Sequence, residues 1–173
     1  AINVFRAAYT IEQSLFQNTK ADAFDADFAN GKITNSSFIN CGNDGIDVSG
    51  SVIELDNIFI RGTGDKGISG GELSRVTARN IDIKYSEISI ASKDKTEFEI
   101  NEVKIDSCGV GFTAYIKKPE FGPATLIAKK AQIKNCRAPF LIENNSTMTL
   151  DGKAIPPSRD KVESILYGVE FGK

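Results

Sequence analysis

The chain has 173 residues, of which 40% are hydrophobic, and this is enough to bury the core of one domain. The net charge of −2 leaves no basic stripe for neutralising phosphates, so nucleic acid is not an expected partner. The sequence has no histidine, which excludes the usual zinc sites and every nucleophile that needs an imidazole base, and no run of about 18 apolar residues that predicts a membrane span.

Three columns of apolar residues, most of them large, run through the chain at a spacing close to 22 residues. Each column contains one longer step of 28 residues, and the second and third also share one step of 23. Three columns that keep the same phase indicate an internal structural repeat. The first column is Ile2, Phe24, Ile46, Ile68, Ile90, Phe112 and Phe140; the second is Ile11, Ile33, Leu55, Ala78, Ile100, Ala128 and Leu150; the third is Phe16, Phe38, Ile60, Ile83, Ile105, Ile133 and Ile155.

Between the columns the sequence predicts short strands and no long helix. Segments such as IDV at 46–48 and FEI at 98–100 alternate or run apolar and are rich in β-branched residues. Turn residues at GN, GTGD, SGG and NCR separate them. Three strands and three bends per repeat predict an all-β fold, a right-handed parallel β-helix of about seven coils.

Small residues form a further column that contains all three cysteines, with the members Thr19, Cys41, Thr63, Ser86, Cys108 and Cys136. A stack of small, weakly polar side chains beside the third strand suits an inward or corner position. We therefore predict reduced cysteines that serve as packing residues. The alternative is a disulfide between Cys108 and Cys136 on adjacent coils.

The two ends of the chain lead to different expectations. After Pro157 and Ser158, the apolar residues Val162, Ile165, Leu166 and Val169 follow helical spacing, and Gly168 is a stop signal. Residues 1–155 are thus predicted to form the β-helix, and residues 156–173 a capping segment whose short helix crosses the last coil. The N-terminal coil, residues 1–20, has no such cover, so a longer parent chain, another domain or a second copy is expected to pack there.

Five segments carry a resemblance to known families: ADAFDADF, NCGNDGIDVSG, GTGDKGISGGE, ISIASKD and AYIKKPEFGPA. They resemble the pectin-lyase-like superfamily, and especially the β-helix segments attached to bacterial spore-coat-protein H (CotH) type proteins. The resemblance covers nearly the whole chain. It implies a bacterial, exported protein in an extracellular or cell-surface location, with further domains in the parent chain.

A narrower resemblance concerns polygalacturonase-type hydrolases, which carry NTDGID, GDDC and GHGIS on three successive coils. Here Asp22 matches the acid of the first motif, Asp44 matches one acid of the second, and Lys66 stands where the third has histidine. Asn43 replaces the other acid, so ordinary polygalacturonase activity, which needs an acid and a base, is not expected. Asp22, Asp44 and Lys66 remain a candidate catalytic cluster in which Lys66 is a base with a lowered pKa or stabilises an oxyanion.

The same coils place acidic residues above one another. Asp22 stacks on Asp44 and Asp25 on Asp47, at the spacing of about 4.8 Å between neighbouring strands. Three interpretations stay open for this wall. Its side chains cap turn amides with Lys66 as a counter-charge, or they form the catalytic cluster, or they bind calcium. No other cofactor is expected, and the candidate calcium ligands are Asp22, Asp25, Asp44 and Asp47.

The 28-residue step marks an inserted loop, KKPEFGPA at 117–124. Either it is an ordinary loop with Phe121 folded back on the cylinder, or it is a cleft wall whose aromatic residues stack on a sugar while its lysines attract uronate carboxylates. The candidate substrate-binding residues are Asp25, Asp47, Lys93, Tyr115, Lys117, Lys118 and Phe121.

Three functions remain possible from the sequence. The favoured one is a non-catalytic β-helix module of a larger exported bacterial protein that binds polysaccharide or a surface protein. The second is a carbohydrate-active enzyme, a lyase, hydrolase or epimerase, that uses the stacked acids and the lysine. The third is a structural spacer or assembly module.

Overall fold

The computed structural model describes residues 1–171, and these residues form a cylinder of about seven stacked coils. The fourteen strands of these residues form one sheet that is parallel except where β14 pairs with β13, and each inner coil pairs with the coils on either side. Within residues 1–171 a single short helix lies near the C-terminus. The elements are β1 Ile2–Phe5, β2 Ala8–Glu12, β3 Leu15–Thr19, β4 Phe24–Asp27, β5 Asn30–Cys41, β6 Ile46–Ser49, β7 Val52–Gly71, β8 Arg75–Lys93, β9 Glu97–Asp106, β10 Val110–Tyr115, β11 Thr125–Lys134, β12 Ala138–Ile142, β13 Thr147–Leu150, β14 Lys153–Ile155 and α1 Val162–Leu166.

The cylinder has three faces. The first face contains β1, β4 and β6, the ends of β7 and β8, and then β10 and β12. The second face runs from β2 to β13, and the third face from β3 to the end of β11. Strands β7 and β8 continue through corners, so the turn predicted at GTGD lies within β7 as a register irregularity between Thr63 and Lys66.

The predicted apolar columns are confirmed as the core, except at Ile2 in the first coil, which is 42% exposed. In the first column, for example, Phe24 pairs with Ile46 and Ile46 with Ile68, and all three are fully buried. The second column keeps its register from Ile11 to Leu150. Burial of each such side chain stabilises the fold by roughly 1.5–3 kcal/mol, so stacked coils supply the core that one coil lacks.

One member of the third column was predicted wrongly. Ile155 lies in β14, which turns back and pairs antiparallel with β13, so that Ile155 faces Met148 on the second face. The chain thereby closes one edge of the last coil with its own strand. At the other end of the cylinder, β1, β2 and β3 each pair with later coils on one side.

The predicted C-terminal helix is present, but it lies on the side of the cylinder and not across the last coil. Val162 and Leu166 are buried against apolar residues of three successive coils, among them Ile88, Val110 and Leu141. Val169, predicted on the apolar face, is fully exposed. The capping segment predicted for residues 156–173 also includes Gly172 and Lys173, which lie outside the described residues.

The three cysteines are free thiols, in agreement with the prediction. Cys41 and Cys108 are buried and Cys136 is half-buried. Thr19 pairs with Cys41, and Cys41 pairs with Thr63, so the predicted column of small residues is in register.

Candidate functional site

The three residues of the candidate catalytic cluster follow one another where the chain enters the first face. Asp22 Oδ1 accepts a hydrogen bond of 2.8 Å from the backbone N–H of Asp44. Asp44 Oδ1 accepts one of the same length from the backbone N–H of Lys66. Each carboxylate thus caps an amide of the next coil, as in the interpretation of these aspartates as turn caps, and holds neighbouring coils in register.

Asp44 and Lys66 belong to a buried ionic cluster. Lys66 Nζ lies 3.5 Å from Asp44 Oδ1 and also contacts Asp65, while Lys66 is 4% exposed and Asp44 is 2% exposed. Tyr167 directly follows α1. Its hydroxyl donates to Asp65 Oδ2 at 2.9 Å, and the centre of its ring lies 5.5 Å from Lys66 Nζ. The C-terminal segment therefore covers the side chains that catalysis would have to expose.

The pKa values of this cluster do not fit a lysine base. Burial raises the pKa of Asp44 to about 7, although the charge of Lys66 opposes that effect. Burial disfavours the charged form of Lys66 as well, but the carboxylates of Asp44 and Asp65 outweigh it and raise the lysine pKa above its ordinary value. A general base at this position needs a lowered pKa, which is the opposite direction.

A second set of carboxylates lies on the outer surface of the first face, in the first three coils. Asp25 pairs in register with Asp47 and accepts a hydrogen bond from the side-chain amide of Asn3. Partial burial raises the pKa of Asp25, and the charges of Asp27 and Asp47 add to this shift. The pKa of Asp27 is raised in the same way, by burial and then by Asp47 and Glu72. This surface has a negative charge that its neighbouring lysine, Lys93, offsets only in part.

Two polar atoms beside these carboxylates have no hydrogen-bond partner. Asp47 Oδ1 makes no hydrogen bond and lies 3.8 Å from Lys93 Nζ. Ser69, its partner in register on the next coil, is fully buried, and its hydroxyl has no partner either. Of the four predicted calcium ligands, Asp22, Asp25 and Asp47 are half-buried and can be reached from solvent, whereas Asp44 is buried. Among the described residues no group of three or more carboxylate or thiol ligands converges, and calcium binding stays a prediction.

The inserted loop differs from its predicted form at Tyr115. The cleft-wall interpretation assigned Tyr115 or Phe121 to stack on a sugar, but Tyr115 is fully buried beneath α1 with Ile88 and Leu166, so its assignment as a substrate-binding residue is wrong. Tyr115 is buried because the C-terminal segment folds back over β10. Lys117 is exposed, Phe121 is half-buried, and the ammonium group of Lys118 is paired with Glu72.

Asp94 anchors the start of this loop. Its Oδ1 accepts hydrogen bonds of 2.7 Å from the backbone N–H groups of both Lys117 and Lys118, and the residue is 1% exposed. The loop is therefore fixed to the coil before it. Asp94 was not singled out in the sequence, because the 23 and 24 residues that separate it from the two lysines show no motif.

Two exposed aromatic residues beside the carboxylates were also missed. Phe5 is 57% exposed and Phe28 is 55% exposed, and their rings meet edge to face with centres 6.2 Å apart. The Arg6 guanidinium lies 4.9 Å from the centre of the Phe5 ring. Phe28 has a left-handed backbone with φ of 51°, which is rare for an aromatic residue. One signal in the sequence could have identified Phe28. It occupies a position of the repeat, next to Asp27, where other coils have polar residues such as Arg6 and Glu72.

Stacked parallel coils of this kind define the class of right-handed β-helix proteins. The family model for a right-handed β-helix region matches residues 1–155, and the chain belongs to that family. The search of curated proteins and the search of solved structures each found no match. The similarity to spore-coat-protein H type segments and to polygalacturonases stays a prediction. No helix among residues 1–171 has the length and apolar character needed to cross a membrane.

Proposed function

We propose that this chain is a non-catalytic β-helix module of a larger exported bacterial protein and that it binds polysaccharide at the cell surface. The observation that carries the proposal is the internal pairing of Asp44 and Lys66 beneath Tyr167. A general acid or base must reach a substrate proton. Asp44 and Lys66 are buried and form an ion pair with each other, so they cannot do so. The rest of the outer surface is free to bind.

The proposed binding surface consists of Phe5, Phe28, Asp25, Asp27 and Asp47. Exposed aromatic rings next to hydrogen-bonding side chains offer an apolar platform for a sugar ring and acceptors for its hydroxyl groups. Phe28 is held in place because its ring lies against Gly50, where an added Cβ would come within 2.7 Å of it. The platform is therefore formed before a ligand arrives, which lowers the entropic cost of binding.

The charge of this surface selects among polysaccharides. Asp25, Asp27 and Asp47 repel a uronate polymer. Of the nearby cations, Lys118 is already paired with Glu72 and Lys93 lies against Asp47, which leaves Arg6 beside the rings to oppose three carboxylates. A neutral glycan avoids this repulsion, and a glycan with free amino groups is attracted. We therefore propose neutral or amino-bearing glycans as the ligand class.

Affinity electrophoresis and glycan arrays test this proposal. The protein is expected to bind neutral or amino-bearing glycans, and Phe28→Ala to weaken binding about tenfold or more, because a stacked ring contributes on the order of 1–3 kcal/mol by analogy with aromatic stacking elsewhere. Tyr85→Ala is the matched control. Tyr85 is 54% exposed and has an arginine, Arg61, 5.1 Å from its ring centre, but it lies at a different corner of the cylinder.

Other outcomes decide against the proposal. Binding to all glycans at background level would reject a glycan ligand. The remaining functions would be binding to a surface protein or a role as a spacer. Equal loss of binding in Phe28→Ala and Tyr85→Ala would remove the assigned surface. Release of reducing or unsaturated ends from any glycan would establish the enzymatic alternative.

A further inference from the structure

Cys108 and Cys136 face each other across two adjacent coils. Cys108 follows β9 and Cys136 follows β11, and the ladder is in register on both sides of them, at Asp106 with Lys134 and at Val110 with Ala138. The backbone N–H of Arg137 also donates to the carbonyl of Cys108 at 3.3 Å. The two thiols are therefore stacked neighbours.

This stacking meets the main geometric requirement of a disulfide. In-register neighbours of a parallel ladder are about 4.8 Å apart, and the Cα atoms of a disulfide are about 4.4–6.8 Å apart. The side chains point the same way, because Cys108 Sγ donates to the carbonyl of Asp106 at 3.5 Å and Cys136 Sγ donates to the equivalent carbonyl of Lys134 at 3.4 Å. Bond formation requires the two Cβ atoms to approach by about 1 Å, from the strand spacing of about 4.8 Å to the mean of about 3.8 Å found in disulfides. Both residues lie just beyond the ends of their strands, where the ladder restrains them least.

The pair is also accessible from solvent on one side. A groove of about 610 Å³ at this corner is lined by both cysteines, with Tyr85 and Arg137 at its edges. Cys136 is half-buried, whereas Cys108 is 4% exposed and burial raises its pKa to about 11. An oxidant entering the groove therefore meets Cys136 first.

We propose that Cys108 and Cys136 are a redox-active pair that forms a disulfide between the fifth and sixth coils when the protein meets a small-molecule disulfide. The Cys136 thiol loses its proton and attacks one sulfur of glutathione disulfide, which releases one glutathione thiolate and leaves a mixed disulfide. Cys108 then loses its proton and attacks the Cys136 sulfur, which releases the second thiolate. The two thiolates take up the two protons, so two protein thiols are oxidised and one glutathione disulfide is reduced.

The position of the bond gives it a structural effect. The segment from Cys108 to Cys136, a step of 28 residues, includes β10 and the inserted loop at 117–124. A disulfide would close this coil into a covalent ring and restrict its unfolded forms. Oxidation is therefore expected to stabilise the part of the cylinder that carries the loop.

The test is oxidation of the folded full chain by millimolar glutathione disulfide near pH 8.5, followed by mass spectrometry. The expected product has lost two hydrogen atoms, and peptide mapping joins Cys108 to Cys136 while Cys41 stays a thiol. Cys41 is the matched control, because it occupies the same column three coils away and is 3% exposed. Cys41→Ser should still form the bond, Cys136→Ser should not, and Cys108→Ser should accumulate the mixed disulfide at Cys136.

Oxidation should also raise the melting temperature of the parent chain and of Cys41→Ser. In denaturant the three cysteines should form all three possible disulfides. A single disulfide in the folded chain would then result from the positions of the cysteines in the fold and not from a higher intrinsic reactivity of one pair. A stable glutathione adduct on Cys136 in the parent chain, a link that involves Cys41, a disulfide between two molecules, or no reaction would each overturn the proposal.

Discussion

Each bend of a coil contains a residue with a left-handed backbone, and asparagine often supplies it. Asn35 and Asn57 occupy the bend after the second face in adjacent coils, with φ of 49° and 54°. The side-chain amide of Asn57 donates to Asn35 Oδ1 at 2.8 Å, and Asn40 donates to Asn18 in the same way at the bend after the third face. Asparagine tolerates this conformation better than most residues, and here it also links neighbouring coils.

At the residue scale, Asp44 predicts a pH dependence of stability. Burial raises its pKa to about 7, above that of an unfolded aspartate at about 3.9. The contribution of this group is thus fully present below pH about 4 and is lost as the pH rises through about 7, because the unfolded chain releases the proton first. Between pH 5 and 8 the melting temperature of the parent chain should fall more than that of Asp44→Asn.

Asp56→Asn is the control for this measurement. Asp56 lies on the surface, and its hydrogen bond from Arg79 lowers its pKa, so its contribution is lost only as the pH falls through that lowered value. The variant should follow the parent chain between pH 5 and 8. A parent chain that becomes more stable over this range, relative to Asp44→Asn, would contradict the raised pKa.

Residues that point into the core were easier to predict from the sequence than residues that another segment covers from outside. The columns through Ile46 and Leu55 were predictable because each coil repeats the same packing problem. The neighbourhood of Asp44 and Lys66 followed from the same spacing. The burial of Tyr115 was not predictable, because it depends on where a non-repeating segment folds back. Phe28 was missed because a bulky residue with positive φ contradicts local preference.

At the scale of single elements, Gly64 controls how closely two coils approach. A Cβ at Gly64 would lie 2.2 Å from the carbonyl oxygen of Gly42 on the preceding coil, and backbone cannot rotate away as a side chain can. Gly64→Ala should destabilise the protein by about 1–3 kcal/mol or more. In Gly71→Ala the nearest atom is in the flexible side chain of Lys93 at 3.4 Å, and thermal unfolding should change little. Equal melting temperatures for the two variants would contradict this account.

Helix α1 is expected to detach without unfolding the cylinder, because its buried residues form a cluster separate from the main core. Leu166→Asp places an unpaired charge at a site that is 3% exposed. Amide hydrogen exchange should become at least about tenfold faster in residues 158–171 and faster around Tyr115, with the core strands unchanged. Val169→Asp, at a fully exposed site, should have no effect. Loss of protection throughout the cylinder in Leu166→Asp would show that the segment and the coils unfold together.

At the scale of the whole molecule, stability should be graded along the axis. Coils in the middle pair on both sides, whereas β1, β2 and β3 pair on one side and leave Ile2, Phe5 and Leu15 exposed. In a stack of this kind each coil depends on its neighbours. Amide exchange in β1–β3 should therefore be much faster than in β7–β9 at micromolar protein. Protection of β1–β3 that increases with concentration would instead indicate association through this end.

The reversed strand β14 also decides whether the rod can form filaments. In a head-to-tail stack of identical copies, β2 of one molecule would have to lie along β13 of the next, and β14 already occupies that edge. An open polymer requires the same joint at every step. Strand pairing on the second face therefore cannot propagate from one copy to the next, and β14 protects this edge against the edge-to-edge association that leads to fibres.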